Sequence, residues 1–189
     1  MKFLSLTAAL AMAASASFAA DKYTLDSSHS QVLFNYDHIG FSTTYGMFSG
    51  IDGEILFDEA NPSASSVNVS IPVKSMFTGW EKREGHFLSA DFFNVEESAL
   101  VTFKSTSIEV TGENTANITG DLTMAGVTKA VVLDATLNKT GIHPQANKPW
   151  LGFDATTSVL RTDFGLGKFA PNVSDEVKIA ISVEAAKAE

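Results

Sequence analysis

Histidine is the side chain best suited to proton transfer near neutral pH, and the chain holds it at four positions, 29, 38, 86 and 143. The run Asp26-Ser27-Ser28-His29-Ser30 offers an acid, a base and a nucleophile. Neighbours i and i+1 on an extended chain point to opposite faces, so His29 is badly placed to activate Ser30. The plainer reading is a turn into a strand, with His29 bonded to backbone. A metal site needs three or four ligands, and no pair of the four histidines has a short ligand spacing. His143 sits in a proline-flanked loop and reads as exposed and idle. Asp163-Phe164-Gly165 matches a kinase tripeptide without the glycine loop that phosphate chemistry requires. Arg161 and Asp163 are expected to pair with each other or with an aromatic-rich segment in the middle of the chain.

That segment is Trp80 to Phe93, WEKREGHFLSADFF, where charged groups, a histidine and four aromatics crowd together. Arg83, His86 and Asp91 could line a site. If residues 81–88 are helical, Arg83 and Phe87 are i and i+4 and share a face. Trp80, Phe87, Phe92 and Phe93 are expected to bury themselves, which a merely solvated excursion would not need. The segment therefore reads as a cap with an apolar underside.

The elements around it alternate apolar and polar residues with period two, the pattern of half-buried strands. Val32, Phe34 and Tyr36 mark the first strand, starting near Ser30 and entered through Leu25-Asp26. The second follows Ile51, Gly53, Ile55 and Phe57. The third follows Val67, Val69, Ile71 and Val73, with Pro72 ending it or placing it on an edge. Val101, Phe103, Ile108 and Val110 make a fourth with a change of phase near Thr106. Gly112-Glu113-Asn114 turns the chain into a fifth at Ile118 to Met124, and Gly126 returns it into a sixth reaching Leu137. A polar loop is expected from Asn138 to Pro149. The seventh strand holds Leu151, Phe153, Ala155, Thr157 and Val159, and the eighth Val177, Ile179, Ile181 and Val183. Thr162 to Lys168 has some helical character, and the tail from Ala185 is expected to fray. Eight turn-linked strands with one apolar face each suit a closed antiparallel barrel or a sandwich. Alternation alone does not say which way the apolar face points. An outer-membrane barrel would want interfacial Tyr and Trp, whereas here Phe (14) outnumbers Tyr (3) and Trp (2).

Lys2 followed by the apolar run Phe3 to Ala14 and by Ser17-Phe18-Ala19 has the form of a signal peptide, cut between Ala19 and Ala20. The remaining residues, 20–189, suffice for one domain with its own core. The net charge is −9, and losing Lys2 takes it to −10, which disfavours nucleic acid and other polyanions as partners. No cysteine is present, excluding disulfides, thiol catalysis and thiolate metal sites. An acidic, cysteine-free exported chain points to a bacterial periplasm. No later stretch is apolar and long enough to span a membrane.

In its ordered motifs the chain resembles the YceI-like family. The strongest match is Glu81-Lys82-Arg83-x-x-His86-x-x-Ser89-x-Asp91-Phe92-Phe93, followed by Val95-Glu96 and Thr102-Phe103-x-Ser105. Others are Asp26-x-x-His29-Ser30-x-Val32-x-Phe34 with His38, then Gly46-x-Phe48 and Gly53. Later come Gly120-x-Leu122-Thr123-x-x-Gly126-Val127-Thr128 and Gly152-Phe153 with Arg161-x-Asp163-Phe164-Gly165. Three positions depart from the usual pattern: Trp80, Gly85 and Asn94. The resemblance implies an all-β, eight-stranded antiparallel lipocalin-like barrel with a short helical segment near its mouth. It implies a long apolar channel for a polyisoprenoid lipid, and brings no catalytic residues and no cofactor.

The expected channel lining is Phe34, Ile55, Val69, Phe103, Leu122, Leu133, Phe153 and Ile179. The expected mouth is Trp80, Arg83, His86, Phe92, Phe93 and Arg161, the three cations facing a polar head. The function expected is a periplasmic carrier of a long isoprenoid lipid, of quinone or prenyl phosphate type. The rival readings are a lipid isomerase or hydrolase working through His86 and Asp91, and a module for a protein partner. Homodimer formation is open.

Overall fold

A computed structural model describes residues 20–189, so the expected signal segment and its cleavage point lie outside the described residues. Ten strands carry the alternation: β1 (Asp21–Leu25), β2 (Gln31–His38), β3 (Ser42–Phe48), β4 (Asp52–Phe57), β5 (Ser66–Pro72), β6 (Leu100–Val110), β7 (Thr115–Met124), β8 (Val127–Ile142), β9 (Pro149–Leu160) and β10 (Glu176–Lys187). One helix, α1 (Glu81–Leu88), lies between β5 and β6.

Every strand pairing is antiparallel, and eight strands form a ring, β1-β4-β5-β6-β7-β8-β9-β10, closed by β1 against β10. β2 pairs with Lys178–Ser182 of β10, and β1 with Ala185–Lys187 of the same strand. The two are thus one path broken at Asp26–Ser30, with β3 and β4 forming its hairpin partner. Counted this way the barrel has eight staves. Closure removes the free edges that an open sheet would expose.

The alternation translates directly into packing. On β8, Val131, Leu133 and Ala135 turn inward while Val132, Asp134 and Thr136 are exposed. Outward positions elsewhere hold Lys104, Asp121 and Lys178. Charged outer rows are the reverse of the apolar band that a membrane-spanning barrel presents to lipid. No helix among the described residues is long and apolar enough to cross a membrane.

The expected phase change in β6 is a bulge between Ser105 and Ser107. An extra residue at Thr106 lets Phe103 and Ile108 face the same interior. β5 ends at Pro72, whose missing N–H cannot extend the ladder.

Three expectations are corrected. β3 escaped the sequence because Gly46 occupies an inward position where an apolar residue would mark the period. The ring of Phe34, its register partner, fills that place. The polar loop expected from Asn138 is instead the end of β8, which continues past a bulge at Leu137/Lys139 to Ile142. The tail does not fray: Ala185 is 1% exposed and pairs with Leu25 on one side and Leu151 on the other. Its small side chain lets β1 and β9 both pack against β10 where the barrel closes.

Two apolar clusters hold the ring. One joins Tyr23, Leu25, Val32, Phe34, Phe48, Ile51, Ile55 and Leu151 along the closing side. The other joins Val73, Val95, Val101, Met124, Val159, Phe164 and Leu166 at the α1 end.

Candidate functional site

An eight-residue helix is marginal by itself in water, so α1 needs anchors. Trp80 at its N-cap offers no side-chain acceptor. Glu84 instead reaches back, accepting from the Thr78 amide at 2.7 Å and from Thr78 Oγ1 at 3.2 Å. That amide bond is the main reason the Glu84 carboxyl is held below the usual range. Arg83 donates through Nη2 to the Thr78 carbonyl at 2.9 Å. At the other end Ser89 Oγ donates to the His86 carbonyl at 2.7 Å and stops the helix. The chain then folds back, with the amides of Phe92 and Asn94 bonded to the Ser89 carbonyl. This tight return brings Phe92 and Phe93 back beside the helix, with Phe92 against Phe87.

Those rings are linked to the barrel. Phe87 contacts Tyr36 at 6.2 Å between ring centroids, and Phe93 contacts Phe48 at 6.0 Å, edge to face. Phe92 meets Phe87 at 5.3 Å and His86 at 5.0 Å. Trp80 departs from the expected burial: it is 58% exposed, with the Arg83 guanidinium 5.8 Å from its ring centre. A cation against one face of the indole offsets part of that exposure.

The loop after β9 forms the other side of the mouth. Arg161 donates through Nε to the Ser174 carbonyl (2.9 Å) and through Nη1 to those of Leu166 (2.7 Å) and Lys168 (3.1 Å). Nη2 donates to the Val173 carbonyl (2.9 Å). The expected pairing of Arg161 with Asp163 does not form. Thr162, through its amide and hydroxyl, donates to Asp175 instead. Partial burial pulls the Arg161 guanidinium below its usual pKa. Arg161 is a clamp for residues 162–175, with four donors spent on backbone. Lys168 reaches across to Asp91, and His86 Nε2 lies 3.5 Å from the same carboxylate. The lysine's hydrogen bond is the largest cause holding Asp91 below the usual carboxylate range.

Beneath the mouth runs a cavity of about 690 Å³. Phe34, Ile55, Val69, Phe103, Leu122, Leu133, Phe153 and Ile179 all line it, and so do Trp80, Arg83, His86, Phe92, Phe93 and Arg161. The lining of the barrel wall is almost wholly apolar. Sequence reasoning missed Lys168 and Phe169 at the mouth and Gly112–Thr115 at the opposite end. Lys168-Phe169, a cation beside an aromatic in a polar loop, was the available signal. Arg83 carries one further feature: its Nε is buried and has no hydrogen-bond partner. Buried polar atoms are nearly always paired, so this donor is conspicuous at the head of an apolar channel.

Of the other histidines, His38 lines the cavity, and His29 and His143 are held by local hydrogen bonds. His29 Nδ1 is bonded to Asp26 Oδ2 at 2.7 Å, a side-chain partner rather than the expected backbone one. Asp26, His29 and Glu184 lie close enough to share a cation. Asp26 is already engaged by Ser28 and His29, and Glu184 Oε2 accepts from Trp150 Nε1 at 2.7 Å. His143 is not idle either: its Nδ1 accepts from the amides of Gln145 and Ala146, and its ring lies 4.7 Å from Trp150.

The YceI-like domain model matches residues 23–185. A UPF0312 protein of Pectobacterium carotovorum is 42% identical over 183 residues, covering 96% of this chain and 94% of the relative. Protein YceI of Escherichia coli is 40% identical over 183 residues, covering 96% and 95%. Among solved structures, BcnA of Burkholderia cenocepacia superposes with a TM-score of 0.76 at 26% identity, covering 85% of this chain and 98% of that one. A polyisoprenoid-binding domain from Saccharophagus degradans shares the fold with a TM-score of 0.67 at 14% identity, covering 88% and 98%. With the domain model spanning nearly every described residue and relatives near 40% identity over nearly the full length, the chain belongs to the YceI-like family.

Proposed function

We propose that this protein is a periplasmic carrier of a long-chain polyisoprenoid lipid, of quinone or prenyl phosphate type, with the tail in the barrel channel. The observation that carries the reading is the continuous apolar cavity headed by a buried, unpartnered Arg83 Nε. Each ligand methylene taken from water contributes roughly 0.8 kcal/mol, so a long tail supplies tight binding with few polar contacts. A guanidinium donor at the mouth then has an anionic or carbonyl-bearing head to meet. The polyisoprenoid-binding domain that shares this fold supports the same ligand class. The signal-like N-terminus supports export.

His86 and Asp91 do not favour a catalytic reading. Asp91 is committed to Lys168, and His86 packs edge-on against Phe92. Organic extraction of gently purified protein followed by mass spectrometry is expected to recover an isoprenoid lipid in near-stoichiometric amount. Protein that yields no such lipid, and fails to take one up from solution, overturns the reading.

A further inference from the structure

Bulky apolar residues rarely adopt a left-handed backbone, because Cβ then crowds the following carbonyl. Two do so here, Ile39 (φ 60°) and Phe169 (φ 68°), and neither gains burial by it: they are 50% and 55% exposed. Both lie on the rim of the α1-end mouth. Ile39 is in the turn between His38 and Ser42, which line the cavity, and Phe169 lines it directly. Phe41, in the same turn as Ile39, is 90% exposed, and Trp80 across the mouth is 58% exposed. Three separate segments therefore hold apolar side chains into solvent around one opening. The turn is well ordered by hydrogen bonds, with Gly40 N on Asp37 Oδ1 at 2.7 Å and Phe41 N on the His38 carbonyl at 3.1 Å. Strained backbone that exposes rather than buries hydrophobic groups points to a use for the exposure.

Charge around the rim is mixed: Asp91 pairs with Lys168, and Asp37 and Glu84 accept from the Gly40 and Thr78 amides. The cationic residues lining the cavity, Lys82, Arg83, Arg161 and Lys168, are all at this end, whereas the carboxylates lining it, Asp154 and Glu113, lie along the wall and in the opposite turn. The whole chain is strongly acidic, at −9. A bilayer is therefore met chiefly by the exposed rings, with the Arg83 guanidinium against Trp80 and Lys168 beside Phe169. Aromatic side chains flanked by Lys and Arg are the groups that settle into the headgroup region of a bilayer.

We propose that the rim formed by Ile39, Phe41, Trp80 and Phe169 docks onto a phospholipid bilayer, setting the channel mouth against the membrane surface. The docking stands on its own geometry. Its purpose, exchange of an isoprenoid lipid between bilayer and channel, rests on the carrier reading above.

The test is flotation of the purified chain with phosphatidylethanolamine vesicles carrying a minority of phosphatidylglycerol. Phe41→Ser and Ile39→Asn are the variants, since neither residue lines the channel and Asn tolerates the left-handed turn. Each is expected to weaken vesicle partition by about tenfold, the effect of removing one large apolar side chain. Both are expected to keep the wild-type content of extractable lipid, and Ile39→Asn a melting temperature no lower than wild type. Equal partition of all three proteins, or none by the wild type, overturns docking while leaving the carrier reading intact. A wild type that floats in a Phe41-dependent way yet carries no lipid sustains docking and fails the carrier reading. Light scattering that shows a dimer converted to monomer by Phe41→Ser identifies the rim as a self-association surface and overturns the proposal.

Discussion

The ring of Phe34 lies over the backbone of Gly46, its partner across the β2–β3 hairpin. A methyl group at position 46 would stand 2.3 Å from Phe34 Cζ. The same relation recurs across the barrel, where a methyl on Gly120 would stand 2.4 Å from Phe103 Cζ. In both places a glycine gives an aromatic room to lie along the wall. The ring then bounds the channel instead of crossing it.

Gly46→Ala is accordingly expected to cost ~1–3 kcal/mol, as overpacking of a filled interior does. Urea denaturation measures it. Adding Phe34→Leu should recover part of the loss, and a double variant no more stable than Gly46→Ala would contradict the packing argument.

Leu133→Trp tests the channel itself. The residue lines the cavity midway along β8, and an indole there occupies space a lipid tail would need. Recovered lipid is expected to fall several-fold with the β-sheet circular dichroism unchanged.

Arg83→Met removes the unpartnered buried Nε while keeping the stem. A hydrogen bond from a charged donor is worth ~1.5–3 kcal/mol, so affinity for a prenyl phosphate is expected to fall about 10- to 100-fold. Affinity for a headless isoprenoid hydrocarbon should stay near wild type. Equal losses for both ligands would assign Arg83 to the structure of the α1 end alone.

Arg161→Lys keeps the charge and loses the planar fork that reaches the carbonyls of Leu166, Lys168, Val173 and Ser174. The expected cost is ~2 kcal/mol. Amide exchange between residues 165 and 175 should accelerate more than exchange in β6 or β7.

His29 and Asp26 give a pH signature. The Asp26 hydrogen bond raises the His29 pKa, a contribution present below the ordinary value of about 6.5 and lost as pH rises through the raised one. Asp26 is held low, first by the Ser28 hydroxyl and then by His29. Its contribution is present above about 4 and lost as pH falls through the lowered value. The melting-temperature gap between wild type and His29→Gln should be widest where His29 is protonated and Asp26 ionised, and narrow as pH rises through the raised His29 value. A gap that widens with rising pH would show that the pair is not what stabilises the β1–β2 break.

Strands whose inward positions are all apolar were legible from the chain alone. Val67, Val69 and Ile71 marked β5, and the change of phase expected near Thr106 between Phe103 and Ile108 is the bulge. The α1 segment stood out by composition, as a charged, aromatic-rich insertion among alternating strands, but its helix did not, since residues i and i+4 such as Arg83 and Phe87 share a face in a strand as well. β3 was not legible, since Gly46 carries no side chain and its inward place is taken by a ring from another strand. Nor was β10 past Ala185, where small residues look like a fraying tail until β1 and β9 are seen on either side.

Sequence alone determined an alternating, cysteine-free, acidic chain with one aromatic-rich insertion, and its ordered motifs carried the family resemblance. Those properties are local, because period and residue type are written along the chain. Tertiary structure decided which way the apolar face turns, how ten strands make eight staves, and which cations are free. Arg83 and Arg161 looked alike as cations near a mouth. Only their neighbours separate them: Arg161 meets four carbonyls of a folded-back loop, while Arg83 keeps a buried donor unspent. That difference arises from contacts between residues distant in the chain, which no spacing encodes.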